Sequence, residues 1–254
     1  MGDSLSSLAP RALAWRHGIQ REVARLAAPL WIPLAAGVLR YGLGYRIEDL
    51  SWVRAEFERL RGQGSGPMLV CANHLTLIDS MLVAWALAGP GRYLVHFREF
   101  PWNLPEASNF AYSWWTRILI YLAKCIPVVR GGRREEVARV IQRVIYLTRR
   151  GERALIFPEG GRSRSGRVEV EKAAWGVGRI VGAIPGCRVL CVYLRGDHQV
   201  SFSARPVRGE RFSVTLRCIE PKSDRRGVRR SRDLAQAVLA ELAAMERRYL
   251  ADRQ

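Results

Sequence analysis

Short apolar runs alternate with amphipathic stretches through the middle of the chain, and each kind predicts its own element. The residues 68–72, after a Gly/Ser/Pro-rich lead-in at 62–67, read as a buried strand. Residues 93–97, 126–129, 153–157 and 188–196 read the same way. Residues 211–218 alternate instead, with Phe212, Val214, Leu216 and Cys218 on one face, which marks a strand half exposed or at an edge. Helical spacing covers residues 49–61 and 135–150, the latter closed by Gly151. Thr76 can cap a helix whose apolar body runs from Met81 to Leu87. Ser231 opens a last helix with Leu234, Val238, Leu242, Met245 and Tyr249 on one face. Strand, helix and strand in this order imply parallel βαβ units. The expected fold is α/β: a single domain with a mixed, mostly parallel sheet flanked by helices.

Two stretches are more apolar than such a domain requires. Residues 26–39 carry no charge, follow an arginine-rich stretch at 11–25, and contain Pro29 and Pro33. As helix this charge-free stretch reaches ~21 Å, short of the ~30 Å hydrocarbon core. Residues 1–48 are therefore expected to form a membrane-associating segment of interfacial helices, broken at the prolines, with the domain proper at 49–254. Residues 110–123 are nearly all apolar or aromatic around Arg117. They suit a core helix, an aromatic face in lipid, or the lining of a tunnel for an acyl chain.

Charge sharpens this picture. Among 254 residues, 41 basic side chains stand against 23 acidic ones, for a net charge of +18, and only Lys124, Lys172 and Lys222 are lysines. An arginine-rich surface attracts phosphate on lipid headgroups, anionic substrates or nucleic acid. Eight tryptophans tilt the reading toward a membrane interface. The cluster Arg225, Arg226, Arg229, Arg230 and Arg232 is a solvated basic face or a headgroup patch. No helix-turn-helix, ribonucleoprotein or zinc motif accompanies the arginines, so no nucleic-acid partner is expected. The five cysteines sit mostly in apolar runs without paired spacing, which excludes a disulfide framework and fits a reducing compartment. The chain opens without a basic start and apolar run, so no signal peptide is expected.

Candidate chemistry gathers at two strand exits. His74 follows the strand at 68–72, and Asp79 lies in the first turn of the next helix. In one continuous helix, positions five apart would diverge by about 140°. With His74 on the connecting loop, Asp79 can fold back onto one ring nitrogen and leave the other free as a base. The plainer alternative is that Thr76 and Asp79 only cap the helix. The second exit carries Pro158, Glu159, Gly160, Gly161, Arg162 and Ser163 after the strand at 153–157. The glycines let backbone approach an anion, Arg162 can grip a phosphate, and Glu159 can orient a hydroxyl or that arginine. Arg130, Gly131, Gly132, Arg133 and Arg134 form a turn that could also hold a phosphate, or a solvated loop.

Asn73-His74 with Asp79, followed some eighty residues later by Phe157-Pro158-Glu159-Gly160-Gly161-Arg162-Ser163, resembles the glycerolipid (lysophosphatidate) acyltransferase family. The resemblance covers residues 67–196, with Ile126 to Arg130 as its intermediate motif and Ile184-Pro185 as its last. It implies a glycerol-3-phosphate acyltransferase-like fold and an O-acyltransferase that moves a fatty acyl group from a thioester to an acceptor hydroxyl. His74 would be the general base and Asp79 its orienting group. Asn73, Arg130, Glu159, Gly160, Gly161, Arg162 and Ser163 would bind the substrate. It implies no cofactor and no metal, with acyl-CoA or acyl carrier protein as co-substrate, a lysolipid acceptor, and a phospholipid surface at the cytoplasmic face of a membrane. Gly161 stands where the family usually has threonine, and Lys124 and Pro127 stand where it has glycine and phenylalanine. These departures bear on the acceptor, which could be lysophosphatidate, another lysolipid or a specialised-metabolite lipid. Two rival readings keep many of the same features: a transacylase drawing on a phospholipid donor, and a non-catalytic basic membrane-binding protein.

Overall fold

Five consecutive apolar residues leave a strand no polar side to show to water, and the strand they form, β2 (Met68–Ala72), is buried along its whole length in the middle of a sheet. The computed structural model describes residues 8–109, 113–129 and 131–253. Around β2 stand β1 (Arg46–Ile47), β3 (Trp102–Asn103), β4 (Ala154–Ile156), β5 (Arg188–Gly196) and β6 (Arg211–Ile219), in the order β1-β6-β5-β2-β4-β3. β5, β2, β4 and β3 run parallel, β6 is antiparallel to β5, and β1 is parallel to β6. β1 covers only Arg211 and Phe212, so the rest of β6 is the sheet edge that its alternating pattern requires.

Alternation along β2 and β5 divides the core in two. Leu69, Cys71, Val189, Cys191 and Tyr193 pack with α6 (Arg134–Arg149), α7 (Trp175–Ala183) and α8 (Gly227–Ala251). Met68, Val70, Ala72, Leu190, Val192 and Leu194 pack on the other face with α2 (Leu50–Gly62) and α3 (Asp79–Leu87). All five cysteines are free. The parallel strands end at one edge of the sheet, the edge at which open α/β folds bind ligands.

The lead segment is one helix, α1 (Leu8–Gly37), continuing as a π-helical turn at Val38–Gly42. It is not broken at the prolines, because Pro29 and Pro33 both lie on its solvent side, where water can satisfy the carbonyls they leave free. Its inner face, Ala24, Ala28 and Ile32, packs on Tyr93 and Phe97.

Four other expectations change. Residues 93–97 form no strand: α4 (Pro90–Val95) and a 3₁₀ turn at Phe97–Glu99 occupy this stretch. Pro90 supplies a pre-set helical φ at the first position, a signal stronger than a short apolar run whose period is ambiguous. Residues 125–129 make only isolated parallel bridges, Asn103 with Cys125 and Glu106 with Val128; Ile126 and Val128 donate to this partner, so Pro127 turns its missing N–H to the other side, as suits a sheet edge. α8 starts at Gly227 rather than Ser231, because exposed arginines form helix readily without adding apolar periodicity. The aromatic segment appears as α5 (Trp114–Leu122), whose residues are never fully buried, which excludes the core-helix reading; residues 110–112 lie outside the described set.

Lys124 takes a backbone conformation that ordinarily favours glycine. Its φ is +52°, in the left-handed region. The side chain is fully buried, and its ammonium donates to the carbonyl of Phe100 at 2.7 Å and lies 3.0 Å from Glu152.

Candidate active site

The parallel register brings the two candidate stretches together. Cys71 pairs with Ile156 as the last couple of β2 and β4, so His74 and Glu159 each lie three residues past the same rung. The chain leaving β2 is held down by Asn73, whose amide donates to the Leu194 carbonyl (2.9 Å) and accepts from the Leu194 N–H (2.8 Å). Both functional groups of Asn73 are thus engaged with β5, which ties the chain leaving β2 to its neighbouring strand.

Asp79 begins α3, and Ile78 holds the capping position without a side-chain bond, so Thr76 is not the cap. The Asp79 carboxylate instead gathers the loop around itself. Oδ2 accepts from the backbone N–H of Leu75 at 2.6 Å and of Thr76 at 2.8 Å, and lies 3.0 Å from His74 Nδ1. Oδ1 accepts a short hydrogen bond from the Thr76 hydroxyl. A carboxylate with only donors around it requires the proton on Nδ1, which leaves the Nε2 lone pair available. Nε2 makes no hydrogen bond among the described residues. The ring lies flat on Phe157, with centroids 3.9 Å apart and planes 12° from parallel. The carboxylate thus ties the 74–76 loop together and orients the imidazole, and the plain capping box is not formed.

The second stretch closes over the first. Ser163 N–H donates to the His74 carbonyl at 2.8 Å, while its hydroxyl donates to the Arg167 carbonyl at 2.6 Å, so Ser163 braces the loop. Gly160 has φ +68°, and a Cβ there would press on Ala174, 3.3 Å away. Arg162 donates to the Ser203 carbonyl at 2.9 Å, lies over the Phe202 ring, and has no carboxylate partner among the described residues. Gly161 follows in the same turn as a half-buried residue. Arg130 lies outside the described residues. Sequence reasoning missed Phe157 as the platform under His74 and the 203–204 segment, which bonds to Leu75 and Leu77 across the loop. Its separation from the motifs leaves no local signal.

Glu159 is half-buried, and burial raises its carboxyl to about 7, only partly offset by a hydrogen bond from the His74 backbone. Its Oε1 is enclosed and has no partner among the described residues. A folded-state value above the unfolded one means that ionisation opposes folding. The stability this gives is fully present below the unfolded value near 4.5 and is lost as pH rises toward about 7. Glu159→Gln removes that loss. Between about pH 5 and pH 8 the variant is expected to gain about 2 kcal/mol over the parent in urea unfolding. Parallel pH profiles for the two proteins would show that Glu159 titrates normally.

The described residues contain no group of three His, Cys, Asp or Glu side chains that could hold a metal ion. The site is thus a buried imidazole with one nitrogen free of hydrogen bonds, oriented by a carboxylate, with an unpaired arginine and a neutralisable carboxyl on the neighbouring turn. The sheet is α/β, with a carboxylate-oriented histidine at the exit of its parallel strands. The family model described as Acyltransferase matches residues 53–195, more than half of the chain, and the protein belongs to that family of glycerolipid and lysophospholipid acyltransferases. No curated protein matches the chain.

Proposed function

We propose that this acyltransferase moves a fatty acyl group from a thioester of CoA or acyl carrier protein to the hydroxyl of a lysophosphatidate-type acceptor. The observation that carries the reading is the His74–Asp79 pair, with its free Nε2 at the ligand-binding edge of the sheet. Nε2 takes the hydroxyl proton as the oxygen attacks the thioester carbonyl. The tetrahedral intermediate expels the thiolate, which recovers the proton from His74, so acylated lipid and free thiol leave without a covalent enzyme intermediate. Asp79 stabilises the imidazolium between the two transfers. Arg162 supplies the positive charge for the acceptor's phosphate, and the unpaired Oε1 of Glu159 supports a role in holding its glycerol hydroxyl.

The membrane supplies the acceptor. The stretch Trp15–Gly42 is long and apolar enough to cross a membrane by length and composition. Its outer face exposes Trp15, Leu26, Leu30, Leu34 and Tyr41, while its inner face packs on the domain. This division supports a helix lying in the interface plane at the cytoplasmic face, with residues 1–48 as the membrane-associating segment and 49–254 as the acyltransferase domain. α5 exposes Trp114, Trp115, Ile118 and Leu119, adding a second apolar face. A second acceptor class, another lysolipid, is favoured by Gly161, which brings no hydroxyl to the phosphate turn.

Thiol release measured with each donor across a panel of lysolipids tests both readings. Arg162→Gln is expected to raise KM for a phosphomonoester acceptor about tenfold while changing kcat little. An equal loss with acceptors lacking the phosphate would remove Arg162 from acceptor binding. Release without any acceptor dependence would sink the acyl-transfer reading itself.

A further inference from the structure

At the opposite end of the sheet a cavity of about 290 Å³ opens between α1, the Phe97–Glu99 turn and the end of α6. It is lined by His17, Arg21, Arg98, Tyr146, Arg150 and Glu152 among others. Glu152 precedes β4 and Glu159 follows it, so roughly 20 Å of near-extended chain separates this cavity from the candidate active site. The one carboxylate in the lining is already saturated. Glu152 Oε1 accepts from Arg21 at 2.7 Å, and Oε2 accepts from Trp102 Nε1 at 2.6 Å and from Lys124 at 3.0 Å.

The charged groups left over are arginines, and the buried histidine adds a donor. His17 is 3% exposed, and its Nε2 accepts from Arg143 Nε at 3.1 Å. Burial and the neighbouring Arg143 hold the ring neutral, at about 4. The proton of that neutral ring is therefore on Nδ1, which is buried and has no partner among the described residues. Arg98 and Arg150 are exposed at the rim and face no carboxylate among the described residues, with the Arg150 guanidinium over the Tyr146 ring. A buried donor without an acceptor is costly, and an anion would satisfy it along with both rim arginines. The volume is several times what one water needs, enough for a phosphate with the group it esterifies.

We propose that this cavity binds a phosphate group, as an anion site separate from the catalytic one. The phosphate could come from a lipid headgroup beneath α1 or from a soluble phosphate, and the two sources are separable. The full-length protein is titrated with inorganic phosphate against sodium chloride at matched ionic strength. Ring signals of the four histidines are followed, with His17→Phe to assign one of them. In parallel it is sedimented with phosphatidylcholine vesicles with and without phosphatidylglycerol. Arg98→Gln/Arg150→Gln removes the rim charges, and Arg247→Gln/Arg248→Gln removes two exposed charges elsewhere as a control.

Phosphate is expected to move the His17 signal, with affinity about tenfold weaker in the rim variant and unchanged in the control. Phosphate held by Arg162 would instead move His74 and ignore the rim variant. If the ligand is a headgroup, the added binding to anionic vesicles falls in the rim variant and not in the control. If neither phosphate nor anionic vesicles distinguish the rim variant from the control, the cavity holds only solvent and the proposal is overturned.

Discussion

Replacing His74 with alanine is expected to lower acceptor-dependent thiol release about 10³-fold, within the range attributed to a positioned general base. The side chain is 7% exposed and stacks on Phe157, so thermal unfolding must confirm that the variant is folded. Asp79→Asn is the informative companion. It keeps the size of the side chain but places an amide where three donors now meet one oxygen. If Asp79 acts through His74, the double variant is no slower than His74→Ala alone, because groups that work as a unit are not additive. Fully additive losses would show two independent roles. Undiminished release in His74→Ala would place the base elsewhere.

The largest expected effect on stability lies far from this chemistry, at Gly178. Here α7 crosses α8 so closely that an added Cβ would overlap the carbonyl oxygen of Ser231 and come within 3.0 Å of the Ala235 nitrogen. Both neighbours are backbone and cannot swing aside. Gly178→Ala is expected to cost about 3 kcal/mol, at the upper end for overpacking, read as a lower urea midpoint. Gly176→Ala, in the same helix, is the control: its Cβ would meet only the Ile141 side chain, in ordinary contact at 3.7 Å from Cδ1 and 4.0 Å from Cγ1. That change should stabilise by about 0.5–1 kcal/mol through helix propensity and reduced freedom of the unfolded chain. Opposite signs two residues apart test the packing directly.

Continuous apolar runs and regular periods were legible without coordinates. β2 and β5 were bounded correctly because burial on both faces requires an unbroken apolar stretch. α6 followed from its spacing of buried positions. The site was legible where its chemistry is local: Asp79 reaches His74 within a single loop, and Glu159 to Arg162 follow one strand. Short elements were not. Tyr93 and its neighbours are apolar enough for a strand, and Pro90 together with the contacts of α4 with α1 decides for a helix.

The sequence by itself determined the α/β order of elements, the two motifs and their family, because these rest on side-chain type and on spacing along the chain. Tertiary structure decided which side chains are available. It engaged Asn73 with Leu194 and Ser163 with Arg167, and it laid Phe157 under His74. It also left Oε1 of Glu159 without a partner. A hydrogen bond or an enclosed oxygen depends on which distant residues meet. That is set by strand register and helix packing, which local pattern does not encode.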